Sequence, residues 1–272
     1  MKCKDWPVGV CTWSLQTDID GIAKVMSNIG LNHVHLGIRA AVGEGGDDYL
    51  AAVQKQNWTV TSTMIDFPQE DYSTLDSIKV TGGVVPDDCW QQNRDLFFGA
   101  AEATVKLGVK YLSMHAGFVD ESNAEYAKKF YDRIRTLADA AGDKDLMLLL
   151  ETGQETAEEL RQFMEELNHP AIGVNFDPAN MILYDKGDPI AAVKVLAPWI
   201  KHIHIKDANR TEQPGTWGAE VPWGDGQVQP EKFLNALTDI GFDGALAIER
   251  EAGDDRPGDI KLAADRLCNI GS

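Results

Sequence analysis

Short apolar runs alternate with amphipathic stretches along the whole chain. An apolar run of four to eight residues between turn signals predicts a buried strand, and apolar positions three and four apart predict a helix. This reading places strands at Val8–Leu15, Asn32–Ile38, Thr59–Ile65, Tyr111–His115, Leu146–Glu151, Gly173–Asp177, His202–Lys206 and Ala245–Glu249. Helical patterns cover Ile19–Ile29, Trp90–Leu107, Ala124–Ala141, Thr156–Leu167, Pro230–Ile240 and Asp259–Cys268. Asp18 or Asp20 can cap the first helix, and Ser122 the one that begins at Ala124. Gly30, Gly108, Gly142 and Gly241 follow helices where a left-handed cap is expected.

Eight strand–helix units in 272 residues is the arithmetic of an α/β chain folded as one (β/α)8 TIM barrel over residues 1–272. A doubly wound sheet alternates in the same way, but no GxGxxG follows the first strand. The stretch Pro68–Cys89 is poor in apolar residues and reads as an insertion after strand three.

A barrel keeps its chemistry at the C-terminal ends of its strands. Strand five, LMLLLET, ends in Glu151, and strand six, IGVNFDPAN, ends in Asp177. His204 stands near the end of strand seven, in WIKHIHIKDANR, and GALAIERE delivers Glu249 at the end of strand eight. Each has an ordinary alternative: a solvated loop glutamate, a turn aspartate before Pro178, a satisfied core histidine. Together, four such groups at one mouth are a costly concentration of charge, which a divalent cation removes. Carboxylate and imidazole ligands suit one Mn2+, Mg2+ or Co2+ ion, and Zn2+ also fits.

A charge of −18 repels phosphate backbones and anionic membranes, so neither nucleic acid nor a membrane is expected as a partner. The acidic surface is compatible with a homo-oligomer joined through apolar loop faces. The start MKCKDWPVGV lacks the apolar stretch of a signal peptide, and the four cysteines show no CxxC spacing. Both point to a cytoplasmic protein.

The set ETG, NFDPAN, HIHIKDANR, VPWGDGQV and AIERE, in this order, resembles the xylose isomerase-like barrel superfamily and its sugar phosphate isomerase/epimerase group. The resemblance implies that Glu151, Asp177, His204 and Glu249 hold one divalent metal ion, that Glu151 and Glu249 are the acid–base pair, and that Arg210 meets the substrate. It also implies the chemistry: acidification of a carbon next to a carbonyl, leading through an enediolate to epimerisation, isomerisation or elimination. Two departures stand out. The epimerases and the endonuclease IV group carry a histidine three residues after the strand-six aspartate, where this chain has Asn180. The endonuclease group also needs a histidine near the end of strand three, and TSTMIDF offers none.

Other groups fall in reach of the same mouth. Lys206 shares a face with His204 and can polarise a substrate oxygen or act as a base, and His115 and Asn180 are candidate substrate contacts. His202, deeper on the strand, suits a core role, and His35 can reach the pocket floor. Trp13, Trp217 and Trp223 can stack on a sugar ring or simply pack. Asp207 reads as a loop residue fixing Arg210, Arg250 and Glu251 as a mutual or solvated pair, and the glycine-rich VPWGDGQV as a tight turn that could cradle phosphate. The expected activity is a metal-dependent sugar isomerase or epimerase acting on a ketose or related carbohydrate. The alternatives are a lyase or dehydratase acting on a keto-sugar or 3-keto-glycoside, and a non-catalytic sugar-binding barrel.

Overall fold

A computed structural model describes residues 1–118, 120 and 122–271. Eight parallel strands close into a barrel: β1 (Trp6–Cys11), β2 (His33–Gly37), β3 (Thr59–Met64), β4 (Tyr111–Met114), β5 (Met147–Glu151), β6 (Ile172–Phe176), β7 (Ile200–Ile205) and β8 (Ala245–Ile248). Each pairs with its sequence neighbours, and β8 pairs with β1 to complete the ring. A short strand, Lys2–Cys3, adds antiparallel to β1, and Asp207–Asn209 pairs with Ala219–Val221 outside the barrel.

Ten α-helices surround the strands among the described residues. They are α1 (Ile19–Ile29), α2 (Gly46–Gln54), α3 (Leu75–Thr81), α4 (Asp87–Lys106), α5 (Ala124–Gly142), α6 (Ala157–Leu167), α7 (Pro178–Leu183), α8 (Pro189–Leu196), α9 (Pro230–Asp239) and α10 (Arg256–Ile270). Ile203 and Ile205 face the helix layer and are fully buried, so the apolar side of β7 is core rather than surface. The apolar positions of α6, Leu160, Phe163, Met164 and Leu167, recur at helical spacing and are buried in the same layer.

Several boundaries differ from the pattern reading. The first strand stops at Cys11, and Thr12–Leu15 coil into a 3-10 turn that ends in a left-handed Gln16. Asp18 is the cap of α1, accepting from the Gly21 N–H. Asn123, not Ser122, caps α5: its side chain accepts from the Tyr126 N–H, while the Ser122 hydroxyl donates to Asp120. Gly142 is the last helical residue of α5, and the left-handed backbone comes three residues later, at Asp145. The stretch 68–89 holds α3 and the first turn of α4. No helix is long and apolar enough to cross a membrane among the described residues.

Glu155 is buried in the turn between β5 and α6, and burial pushes its carboxyl up to about 8. The folded protein therefore holds a proton there that the unfolded chain releases near pH 4.5, so stability drains away as pH rises from that value toward 8. Glu155→Gln is expected to stabilise the protein by a few kcal/mol, to order of magnitude, at pH 9 and to be neutral below pH 4.5. Urea unfolding at the two pH values checks this.

Candidate metal centre and active site

Each candidate ligand is delivered by a strand end. Glu151 is the last residue of β5, Asp177 follows β6 as the cap of α7, His204 is next to last in β7, and Glu249 follows β8. Their ligand atoms lie within 4.8 Å of one another, and all four residues are buried. His204 Nδ1 stands 3.2 Å from Glu151 Oε1, 3.3 Å from Glu249 Oε2 and 3.6 Å from Asp177 Oδ2.

One oxygen of each carboxylate is held by the protein. Asp177 Oδ1 accepts from the Ala179 and Asn180 N–H groups at the start of α7, at 2.7 and 3.0 Å. Glu249 Oε1 accepts from Trp13 Nε1 at 2.7 Å, and Glu151 Oε1 from Asn180 Nδ2 at 3.0 Å. Glu151 Oε2, Asp177 Oδ2 and His204 Nδ1 are left buried without a hydrogen-bond partner among the described residues, and Glu249 Oε2 is paired with Lys206 Nζ at 2.9 Å. Buried polar atoms without partners are costly, and this group of three carboxylates and one imidazole, with ligand atoms within 4.8 Å of one another, could hold a metal ion. The donor set, three carboxylates and one imidazole, fits a divalent ion.

The electrostatics match. Burial opposes the charge on Glu249, yet Lys206 and His204 hold its carboxyl well below the usual range. Burial would likewise raise Glu151, but His115 and His204 keep it low. Asp177 is pushed up, chiefly by burial. His204 is raised well above its usual value: burial opposes this, but Cys11, Glu249 and Glu151 outweigh it.

Lys206 reaches into the same space, fully buried, with Nζ at 2.6 Å from Glu251 Oε2, 2.9 Å from Glu249 Oε2 and 3.3 Å from Asn180 Oδ1. Asn180 thus bridges Glu151 and Lys206. His115 Nε2 stands 3.6 Å from Glu151 Oε2, and its ring packs near Tyr72. Trp13, His115, Asn180, Lys206 and Glu249 all line one cavity of about 690 Å³. Arg210 does not line it: its guanidinium pairs with Asp185 and the Gly187 carbonyl instead. The structure places this arginine in the loop framework, with no contact to the cavity.

Asp207 also has another role than the one expected. Its carboxylate accepts from the N–H groups of Ala208, Gly224, Gly226 and Val228, at 2.8–3.1 Å. The VPWGDGQV loop is wrapped around an internal carboxylate, so these N–H groups are not free to cradle a phosphate. A Cβ at Gly226 would collide with that carboxylate, which requires glycine there. Trp223 is buried against Phe233 and packs, whereas Trp217 lines the cavity beside Tyr184. Arg250 pairs with Glu220 and Asp259, leaving Glu251 to Lys206.

The pattern reading missed Glu70, Tyr72 and Tyr184 on the cavity wall. Tyr72 and Glu70 come from the apolar-poor stretch after β3, where no periodicity marks a residue as inward. Glu251 carried a usable signal, since it stands two residues after Glu249, as Lys206 does after His204.

A family profile described as a xylose isomerase-like TIM barrel matches residues 23–270. The chain belongs to this family. It is similar to a solved xylose isomerase domain protein from Planctomyces limnophilus, at 31% identity, 97% coverage of both chains and a TM-score of 0.89. Among characterised relatives, it is 25% identical over 154 residues to a ketose 3-epimerase of Arthrobacter globiformis, covering 54% of this chain and 49% of the relative. It is also 25% identical over 134 residues to an inosose dehydratase of Clostridium botulinum, covering 43% and 45%. The matches thus span about half the length of these two relatives. Epimerases and dehydratases share this barrel, so family membership alone does not choose between proton return and elimination.

Proposed function

We propose that Glu151, Asp177, His204 and Glu249 hold one divalent cation, and that the chain is a sugar isomerase or epimerase acting on a neutral, unphosphorylated carbohydrate. The observation that carries this reading is the buried group of three carboxylates and one imidazole, with ligand atoms within 4.8 Å of one another, which meets the cavity at Glu249. A bound divalent ion supplies the Lewis acidity that polarises a substrate carbonyl. The remaining work falls to the chain. One of Glu151 and Glu249 accepts the proton from the carbon beside the carbonyl, and the carboxyl of the other returns one. Trp13 fixes Glu249 through Oε1 and Asn180 fixes Glu151, so neither carboxylate must be oriented during the reaction. His115, next to Glu151 Oε2 on the cavity wall, is placed to hold a substrate hydroxyl.

The cavity's charge supports a neutral substrate. Asp66, Glu70, Glu220, Glu249 and Glu251 line it. The neighbouring cations are already committed: Arg39 to Asp66, Arg250 to Glu220, and Lys206 to Glu249 and Glu251. Away from the metal site, a phosphate or carboxylate entering here would meet like charge without a free Lys or Arg among the described residues.

A second reading, elimination from a keto-sugar, is favoured by the ammonium of Lys206 beside Asn180, where the epimerases have histidine, and by the dehydratase relative. NMR in D2O tests both, with unphosphorylated ketoses, their phosphates and keto-glycosides, with and without Mn2+. We expect Mn2+-dependent deuterium uptake beside a carbonyl from an unphosphorylated substrate only. An unsaturated product would select elimination. Exchange confined to phosphorylated sugars would refute the neutral-substrate assignment, and none from metal-loaded protein would remove the isomerase reading.

A further inference from the structure

Two register shifts in the barrel fall on the layer directly beneath the candidate metal centre. Between β2 and β3, Val34 pairs with Val60 and His35 with Ser62, so Thr61 is an extra residue. Between β6 and β7, Val174 pairs with Ile200 and Asn175 with His202, which leaves Lys201 extra. A bulge re-aims the side chains around it. Here the re-aimed groups meet. Thr61 Oγ1 stands 3.0 Å from His202 Nε2, His202 Nδ1 is 2.9 Å from Asn175 Oδ1, and Asn175 Nδ2 is 3.1 Å from His204 Nε2.

The direction of these bonds follows from counting protons. The Thr61 hydroxyl has one, and it is donated to the Val34 carbonyl at 3.0 Å. Toward His202, Thr61 can only accept, so His202 Nε2 carries the N–H. The ring nitrogens of His202 meet only a hydroxyl and an amide, so a neutral imidazole with one N–H satisfies both, and Nδ1 accepts. That acceptor needs the amide nitrogen of Asn175, which turns the amide oxygen toward His204. A half-turn of the amide changes no heavy-atom distance and sets this orientation. An oxygen facing His204 Nε2 accepts, so Nε2 keeps its proton and Nδ1, which faces the three carboxylates, is the nitrogen that exchanges a proton for a cation. His35 Nδ1, 2.9 Å from the same Nε2, can share that proton.

We propose that Thr61, His202 and Asn175 are positioning residues that hold the His204 proton on Nε2, through a relay anchored at the Val34 carbonyl, and so keep Nδ1 open to a divalent cation. This rests on the metal reading above. A partner on the far nitrogen of a ligating histidine fixes which nitrogen binds, and its loss weakens metal binding by 10–100-fold.

Calorimetric titration of Mg2+ and Zn2+ into the wild type, Thr61→Val, Thr61→Ser and Glu249→Gln tests the relay, with 15N spectra of the histidine rings in the Zn2+-loaded wild type. We expect Thr61→Val to bind about tenfold more weakly or worse and Thr61→Ser to match the wild type. Nε2 of both His202 and His204 should be protonated. An unprotonated Nε2 on either ring overturns the relay, and that spectrum decides alone should Thr61→Val not fold. Weak binding by Glu249→Gln with unchanged binding by Thr61→Val overturns the relay only. Glu249→Gln binding as tightly as the wild type overturns the metal reading and the relay together.

Discussion

Glu249→Gln is expected to lower metal-dependent deuterium exchange into the substrate by about 10²–10⁴-fold, the usual contribution of a positioned acid–base group. The glutamine keeps an oxygen for the Trp13 indole, which donates to Glu249 Oε1 at 2.7 Å, so the side chain's seat is preserved. What the substitution removes is the negative charge and the basic oxygen, Oε2, that faces His204 Nδ1 at 3.3 Å. Lys206, 2.9 Å from the same oxygen, loses one of its counter-charges but keeps Glu251 at 2.6 Å. Because Glu249 is also a candidate ligand, exchange is measured at saturating Mn2+, after the affinity of the variant has been determined. A rate near the wild-type value under saturation would remove Glu249 from the proton-transfer step and leave it a ligand alone. A rate that recovers fully as Mn2+ is raised would assign it the same ligand-only role.

How far the sequence announces this site depends on what each residue answers to. Glu151 and Glu249 are legible because each closes an apolar run with a carboxylate, and a buried run ending in charge has few structural excuses. His204 and Lys206 are legible because strand alternation puts them on one face. The barrel itself follows from eight repeats of the same unit, which local pattern can count. Other features answer to long-range packing. Thr61 sits in a strand whose period is broken by a bulge, and nothing local announces the break. Asn175 reads as one polar residue in IGVNF, and its role appears only when β7 brings two histidines against it. Arg210 shows the reverse case. Its position after His204 matches the epimerases, but Asp185 and the Gly187 carbonyl take its guanidinium in the loop framework. The chain's end-of-helix glycines make the same point on a smaller scale: Gly30 is left-handed after α1, whereas Gly142 is simply the last turn of α5.

The second large effect expected is a stabilisation by metal that grows with pH. At a concentration 100-fold above Kd, a divalent ion that binds only the folded chain stabilises it by about 2.7 kcal/mol. For a chain of this size each kcal/mol moves Tm by roughly 2–4 °C. The pH dependence comes from His204. In the metal-free protein the surrounding negative groups hold its pKa well above 6.5 against the opposing effect of burial. The folded metal-free state therefore carries a proton that the unfolded chain has lost, and that contribution, full below pH 6.5, fades as pH rises through the raised value. A cation on Nδ1 must displace this proton, so in that window its apparent affinity rises about tenfold per pH unit. The two trends oppose each other: metal-free stability falls with pH while the gain from Mg2+ increases. Scanning calorimetry between pH 6.5 and 9, with and without Mg2+ at one fixed concentration, measures both. A Tm shift that is the same at every pH would mean that the ion sits on carboxylates alone and that His204 is a counter-charge to them. A shift that grows with pH in the wild type and is lost in His204→Asn would place the imidazole among the ligands, where β7 puts it.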